Sequence, residues 1–143
     1  MKRFEFFDHT ADVEFAAYGK DLESLFKNAL LCMFGVIAKI GTLKRSCVAA
    51  IEIPIDDSAD TIEDLLWYTL QDALSAAEAK RAFCYEIRNI KITCAKRYSV
   101  SAAIMCREKS DIAYKLEVKG VSRYNMSISK SGNIYKARVI LDV

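Results

Sequence analysis

Apolar side chains fall on alternate positions in stretch after stretch of this chain, and a period of two is buried by sheet with one covered face. Tyr98, Val100, Ala102, Ile104 and Cys106 form one such set. Val13, Phe15 and Ala17 form another, with Gly19 ending the strand. Near the far end, Tyr135, Ala137, Val139, Leu141 and Val143 alternate with Lys136, Arg138, Ile140 and Asp142. Two further alternating runs are Ser46 to Ile53, which Pro54 stops, and Ile112 to Val118. Tyr85 and Ile87 lead into Ile90, Ile92 and Cys94, and the change of face near Asn89 predicts a bulge. Ala95-Lys96-Arg97 reads as a hairpin turn, as does Ser131-Gly132-Asn133 after the short run at Met126 and Ile128.

Two segments follow a helical period instead. Asp21 can cap a helix in which Leu22, Leu25, Phe26, Ala29, Leu30 and Met33 share one stripe. Asp60, with Glu63 three residues on, resembles a capping box. It opens a second helix striped by Ile62, Leu65, Leu66, Thr69, Leu70, Ala73, Ala76 and Ala77. The sequence thus predicts two helices and about seven strands, an α+β fold with the helices packed on mostly antiparallel sheet. Strand, helix and strand run once from Asp12 to Pro54, and a helix followed by several strands comes after, which hints at a coarse duplication.

With 143 residues and no linker-like or low-complexity stretch, the chain reads as one domain over residues 1–143. A formal charge of +2 lacks the strong basic excess of a typical nucleic-acid binder. Direct contact with RNA stays open on this ground. Lys2 and Arg3 do not begin an export signal, because Glu5 and Asp8 break the apolar stretch that must follow. The longest apolar run, Ala29 to Ala38, is about half of what a bilayer needs and reads as a buried helix end. A cytoplasmic protein without membrane contact is the expectation. Five scattered cysteines and one histidine fit reduced thiols better than a disulfide frame or a zinc site.

The densest polar cluster is Asp8-His9-Thr10-Ala11-Asp12, leading into the first strand. Its carboxylates, imidazole and hydroxyl can bind a hard divalent cation or supply a general base. They can equally form a turn in which Asp8 or Thr10 satisfies backbone N–H groups. Alternation places Asp142 and Asp12 on the polar faces of their strands. If the first and last strands are neighbours, these two carboxylates approach one another and need a cation, a basic side chain or a shared proton between them. Lys119, just before Gly120, can reach an anion or a partner, or simply solvate a strand edge. Lys96-Arg97 and Arg123 are lesser candidates for phosphate contact, and Trp67 reads as packing. No phosphate loop, nucleophile elbow or other specific catalytic motif is present.

Phe7-Asp8-His9-Thr10-Ala11-Asp12-Val13, followed by Ala17-Tyr18-Gly19-Lys20-Asp21-Leu22-Glu23 and Met33-Phe34, resembles the opening signature of the archeases. The likeness continues through Glu63-Asp64-Leu65-Leu66, Leu116-Glu117-Val118-Lys119 and the closing Ala137 to Val143, and so covers essentially the whole chain. It implies two interleaved strand-helix-strand-strand modules. It also implies a non-enzymatic cofactor of the tRNA-splicing RNA ligase, promoting guanylylation of the ligase and its repeated turnover. The resemblance further implies a divalent metal ion (calcium, or magnesium or manganese) held by Asp12, Asp142 and the terminal carboxylate of Val143. Lys119, with Asp8 and His9, belongs to the implied functional surface. After Lys119 the family continues with an alanine and a Thr-Tyr-His segment. Here stand Gly120-Val121-Ser122-Arg123-Tyr124, so no role of that histidine carries over.

Two other functions fit the same residues. A chaperone-like partner of a tRNA methyltransferase, a role also attributed to some archeases, would depend little on Asp12 and Asp142. A metal-dependent hydrolase using Asp8, His9 and Asp12 would turn over by itself.

Overall fold

The computed structural model describes residues 1–7 and 12–143. In chain order the elements are β1 (Phe4–Phe7), β2 (Asp12–Gly19), α1 (Leu22–Ile37), α2 (Ile40–Arg45), β3 (Ile51–Ala59), α3 (Ile62–Ala79), β4 (Ala82–Cys94), β5 (Tyr98–Glu108), β6 (Gly120–Ser131) and β7 (Ile134–Asp142). They form an α+β fold with two antiparallel sheets, ordered β1-β2-β7-β6 and β3-β5-β4. The sheet order makes the interleaving explicit. The strands β3, β4 and β5, with α3 between the first two, complete one sheet between α1 and the return of the chain through β6 and β7 to pair with β2.

Helix α1 starts where Asp21 accepts a hydrogen bond from the Ser24 N–H at 2.7 Å, as its sequence position predicts. Helix α3 starts one residue later than the Asp60 signal suggests: Thr61 caps it, accepting from the Asp64 N–H at 3.1 Å, and Asp60 pairs with Arg97 instead. Both apolar stripes are buried in one continuous core. α1 packs on β2 and β4, and α3 on β3 and β6, so each helix touches both sheets.

Three strand expectations change. Pro54 does not stop β3, which begins only at Ile51 and runs on to Ala59; Ser46 to Ala50 are not strand. β3 lies at a sheet edge, where a residue without an N–H can sit in the ladder beside its one neighbour, here opposite Ala103. Ile112 to Val118 do not form a strand either. The backbone there bonds to the end of α1, with the Lys39 N–H donating to Ala113 O and the Lys115 N–H to Ile37 O. The burial breaks the alternation: Ala113 is buried while Ile112 is 75% exposed. β1 and the short α2 are additions, since neither is long enough to display a period.

The bulge at Asn89 is present, with a shift of register between Arg88 and Lys91 and a φ of 55° at Asn89. Further register shifts lie in β4 between Cys84 and Glu86 and in β6 between Ser122 and Ser127, where Asn125 has a φ of 57°. All five cysteines are free thiols. Cys84 and Cys106 face each other across β4 and β5, a proximity their spacing conceals. Among the described residues no helix is long and apolar enough to cross a membrane.

Candidate functional site

The pairing of β2 with β7 sets Asp12 directly opposite Asp142, and the register holds without a break to Gly19 opposite Tyr135. Directly opposed residues of antiparallel strands have Cβ atoms about 4.5–5.5 Å apart, so their side chains are neighbours. On the other side of β7, Asp142 is opposite Gly120, and its carbonyl accepts the Lys119 N–H at 2.7 Å. The structure therefore brings Asp12, Asp142 and Lys119 to one end of one sheet, from three separate parts of the chain. Val143 follows directly and is half-buried against the core. Asp12 is half-buried, and Asp142 and Lys119 are exposed. Asp8 and His9 lie outside the described residues.

The face that carries the two aspartates has its own charge pairing. Glu14, only 7% exposed, accepts a hydrogen bond from the Arg138 guanidinium at 2.6 Å, and that guanidinium also lies 4.6 Å from the centre of the Phe7 ring. Arg138 is thus engaged by Glu14 and stacked on Phe7. Like charges directly opposite one another across a ladder destabilise it. Among the described residues neither aspartate forms a salt bridge. Two aspartates facing one another offer oxygen donors of the kind a hard cation such as calcium, magnesium or manganese prefers. Among the described residues no three Cys, His, Asp or Glu side chains gather to hold an ion.

Arg97, Arg123 and Trp67, among the lesser candidates, have partners within the chain. Arg97 pairs with Asp60 at 2.9 Å. Arg123 lies 4.0 Å from the Trp67 ring centre and reaches Asp64 at 3.7 Å. The Trp67 indole donates to Val121 O at 2.7 Å, and Gln71 Oε1 accepts the Val121 N–H at 3.0 Å. Together these contacts tie the start of β6 to α3 and so fix where Lys119 and Gly120 meet Asp142.

A second polar region escaped the sequence reading. Asp56, Asp57, Asp72, Lys91 and several hydroxyls line an open cleft of about 710 Å³ between α3 and the β3-β5-β4 sheet. Burial first, then the hydrogen bond and charge of Asp72 and the charge of Asp56, push the Asp57 carboxyl up to about 7. Its Oδ2 is buried without a donor. Two carboxylates this close repel unless one of them holds a proton, which the raised Asp57 value favours. The available signal was parity: Asp57 stands at an inward position of β3, in line with Ile53, Ile55 and Ala59.

The Archease protein family matches residues 4–143. The archease of Methanosarcina barkeri is 36% identical over 147 residues, covering 99% of this chain and 97% of its own. That of Methanothermobacter thermautotrophicus is 34% identical, with both chains covered in full. The solution structure of Methanobacterium thermoautotrophicum protein 1598 superposes with a TM-score of 0.81 at 33% identity, covering 100% of each chain. A Thermotoga maritima crystal structure, described as an archease and possible chaperone, superposes at 0.63 over 96% of this chain and 94% of that one; at 17% identity it speaks for the fold alone. With a family match over almost its whole length and relatives above 30% identity end to end, this chain belongs to the archease family.

Proposed function

We propose that this chain is an accessory protein of the GTP-dependent tRNA-splicing RNA ligase, promoting guanylylation of the ligase and its multiple turnover without catalysing a reaction itself. Family membership supports the accessory role. The observation that carries the site is the register that sets Asp12 opposite Asp142. In this reading Asp12, Asp142 and the terminal carboxylate of Val143 hold a divalent cation, and the Lys119 backbone, bonded to Asp142 O, anchors the adjoining turn. When bound, the cation supplies positive charge to phosphate oxygens in the ligase site. The protein's own part is to pre-align the carboxylates on paired strands and to keep Arg138 occupied by Glu14, so that the aspartates stay available.

Multiple-turnover RNA ligation by the cognate ligase, with GTP and metal, tests this reading. Wild-type chain is expected to stimulate turnover, and Asp12→Ala and Asp142→Ala, checked for folding by circular dichroism, are expected to lose at least about tenfold of that stimulation, the scale on which metal-site changes act. Folded variants that stimulate as well as wild type overturn the carboxylate site. If wild type itself gives no stimulation, the ligase reading fails, and suppression of aggregation of a tRNA methyltransferase becomes the function to test.

A further inference from the structure

A pocket whose lining includes neither Asp12 nor Asp142 has a chemistry of its own. Edge strand β1, helix α1, helix α2 and the irregular segment after β5 enclose a cavity of about 280 Å³. This is just below the usual range for small-molecule sites, about 300–1,000 Å³, and fits a ligand of ring size. Its walls are Phe4 and Phe6 from β1, Leu31 and Gly35 from α1, and Ile40 from α2. Phe4 and Phe6 are 39% and 52% exposed, although their parity places them on the core face of the sheet; β1 overhangs the helix and leaves the rings half covered. Cys32 lines the floor, and burial pushes its thiol up to about 12, so it stays neutral and behaves as an apolar group.

Among the described residues the polar part is entirely cationic: Arg3, Lys44 and Lys115 line the pocket, and no carboxylate, amide side chain or hydroxyl does. Lys115 Nζ donates to Gly35 O at 2.7 Å and Arg3 Nε to Asn28 Oδ1 at 3.3 Å, which hold both cations in place with N–H groups to spare. Among the described residues none of the three forms a salt bridge. Among the described residues the lining offers N–H donors and an apolar wall but no side-chain oxygen to accept a hydrogen bond. The chemistry matches an apolar body with one anionic head.

We propose that this pocket binds a small amphipathic organic acid, its apolar body against Phe4, Phe6, Leu31 and Ile40 and its carboxylate at Lys44 and Lys115. The site is separate from the aspartate pair, and its occupancy does not depend on the ligase reading.

Amide chemical shifts of the isotopically labelled full chain, followed by NMR during titration, test it. The probes are indole-3-propionate, its uncharged alcohol counterpart 3-(indol-3-yl)propanol, and guanosine monophosphate. The acid is expected to give saturable shifts around Arg3, Gly35 and Lys115, and to bind at least about tenfold more tightly than the alcohol, as a charge-assisted head group requires. Lys44→Glu, on an exposed side chain, is expected to remove most of that preference with the rest of the spectrum unchanged. Leu31→Trp, which fills the cavity, is expected to block binding of acid and alcohol alike. No saturable shift, equal binding of acid and alcohol, or guanosine monophosphate binding as well as the acid would each overturn the proposal. Should Leu31→Trp fail to fold, Lys44→Glu alone still decides it.

Discussion

Gly19 shows how one residue fixes a junction that periodicity only bounds. A Cβ built there would lie 2.3 Å from Leu25 N and 2.7 Å from Leu25 Cα, both backbone atoms in the first turn of α1. The strand can pass that close to the helix only without a side chain. Gly19→Ala is expected to cost about 1–3 kcal/mol or more, as overpacking does, read from the denaturant midpoint at unchanged slope. A cost below roughly 0.5 kcal/mol, the range of ordinary surface substitutions, would mean that α1 shifts freely away from β2. Asp57 is the opposite case, a residue hidden by an error next to it. Ending the strand at Pro54 removed Asp57 from the alternation, although edge position was all that Pro54 required.

Two elements meet at that aspartate. Asp57 of β3 faces Asp72 of α3, with Asp56, Lys91, Tyr68 and the hydroxyls of Thr93, Ser99 and Ser101 around the cleft. Its folded value of about 7 lies above the unfolded carboxylate value of about 4. The folded state therefore holds this proton more tightly. The resulting stabilisation is complete below about pH 4, is lost as pH rises towards 7, and changes no further above that. Asp57→Asn keeps a hydrogen bond to Asp72 at every pH. Relative to wild type, its melting temperature is expected to be higher at pH 8 than at pH 5. An equal difference at both pH values would show that no proton is shared across the β3–α3 contact.

At the scale of the molecule, the interleaving makes the aspartate pair depend on the other sheet. β7 reaches β2 only after the chain has built β3, α3, β4 and β5, and α3 then holds β6 through Trp67 and Gln71. Leu70, fully buried on α3, lies in the core shared by both sheets. Leu70→Ala is expected to cost about 2–5 kcal/mol. Native-state hydrogen exchange should then show the amides of β2 and β7 losing as much protection as those of β3 and β5. Loss confined to β3 and β5 would mean that the two sheets open separately, and that the Asp12–Asp142 register survives without its neighbour.

Long, strongly periodic segments were legible because burial of one face imposes the period locally: both helices, β2, β5 and β7 read directly from the order of residues. So did the parity of Asp12 and Asp142, because side-chain direction in a strand follows from position alone. Ile112 to Val118 carry the same alternation without forming a strand, because a ladder also needs a partner, and the backbone there finds its acceptor at the end of α1. Asp60 is by type the stronger cap, yet Thr61 caps α3, a choice made by the geometry of its first turn. Sequence by itself determined which faces are apolar, where the two long helices run to within a residue or so, and which side of its strand Asp12 or Asp142 occupies. Tertiary structure alone decided that Asp12 meets Asp142, that Lys119 bonds to it, and that three cations gather over an apolar pocket, since each of these joins residues far apart in the chain and no local period encodes which strand lies beside which.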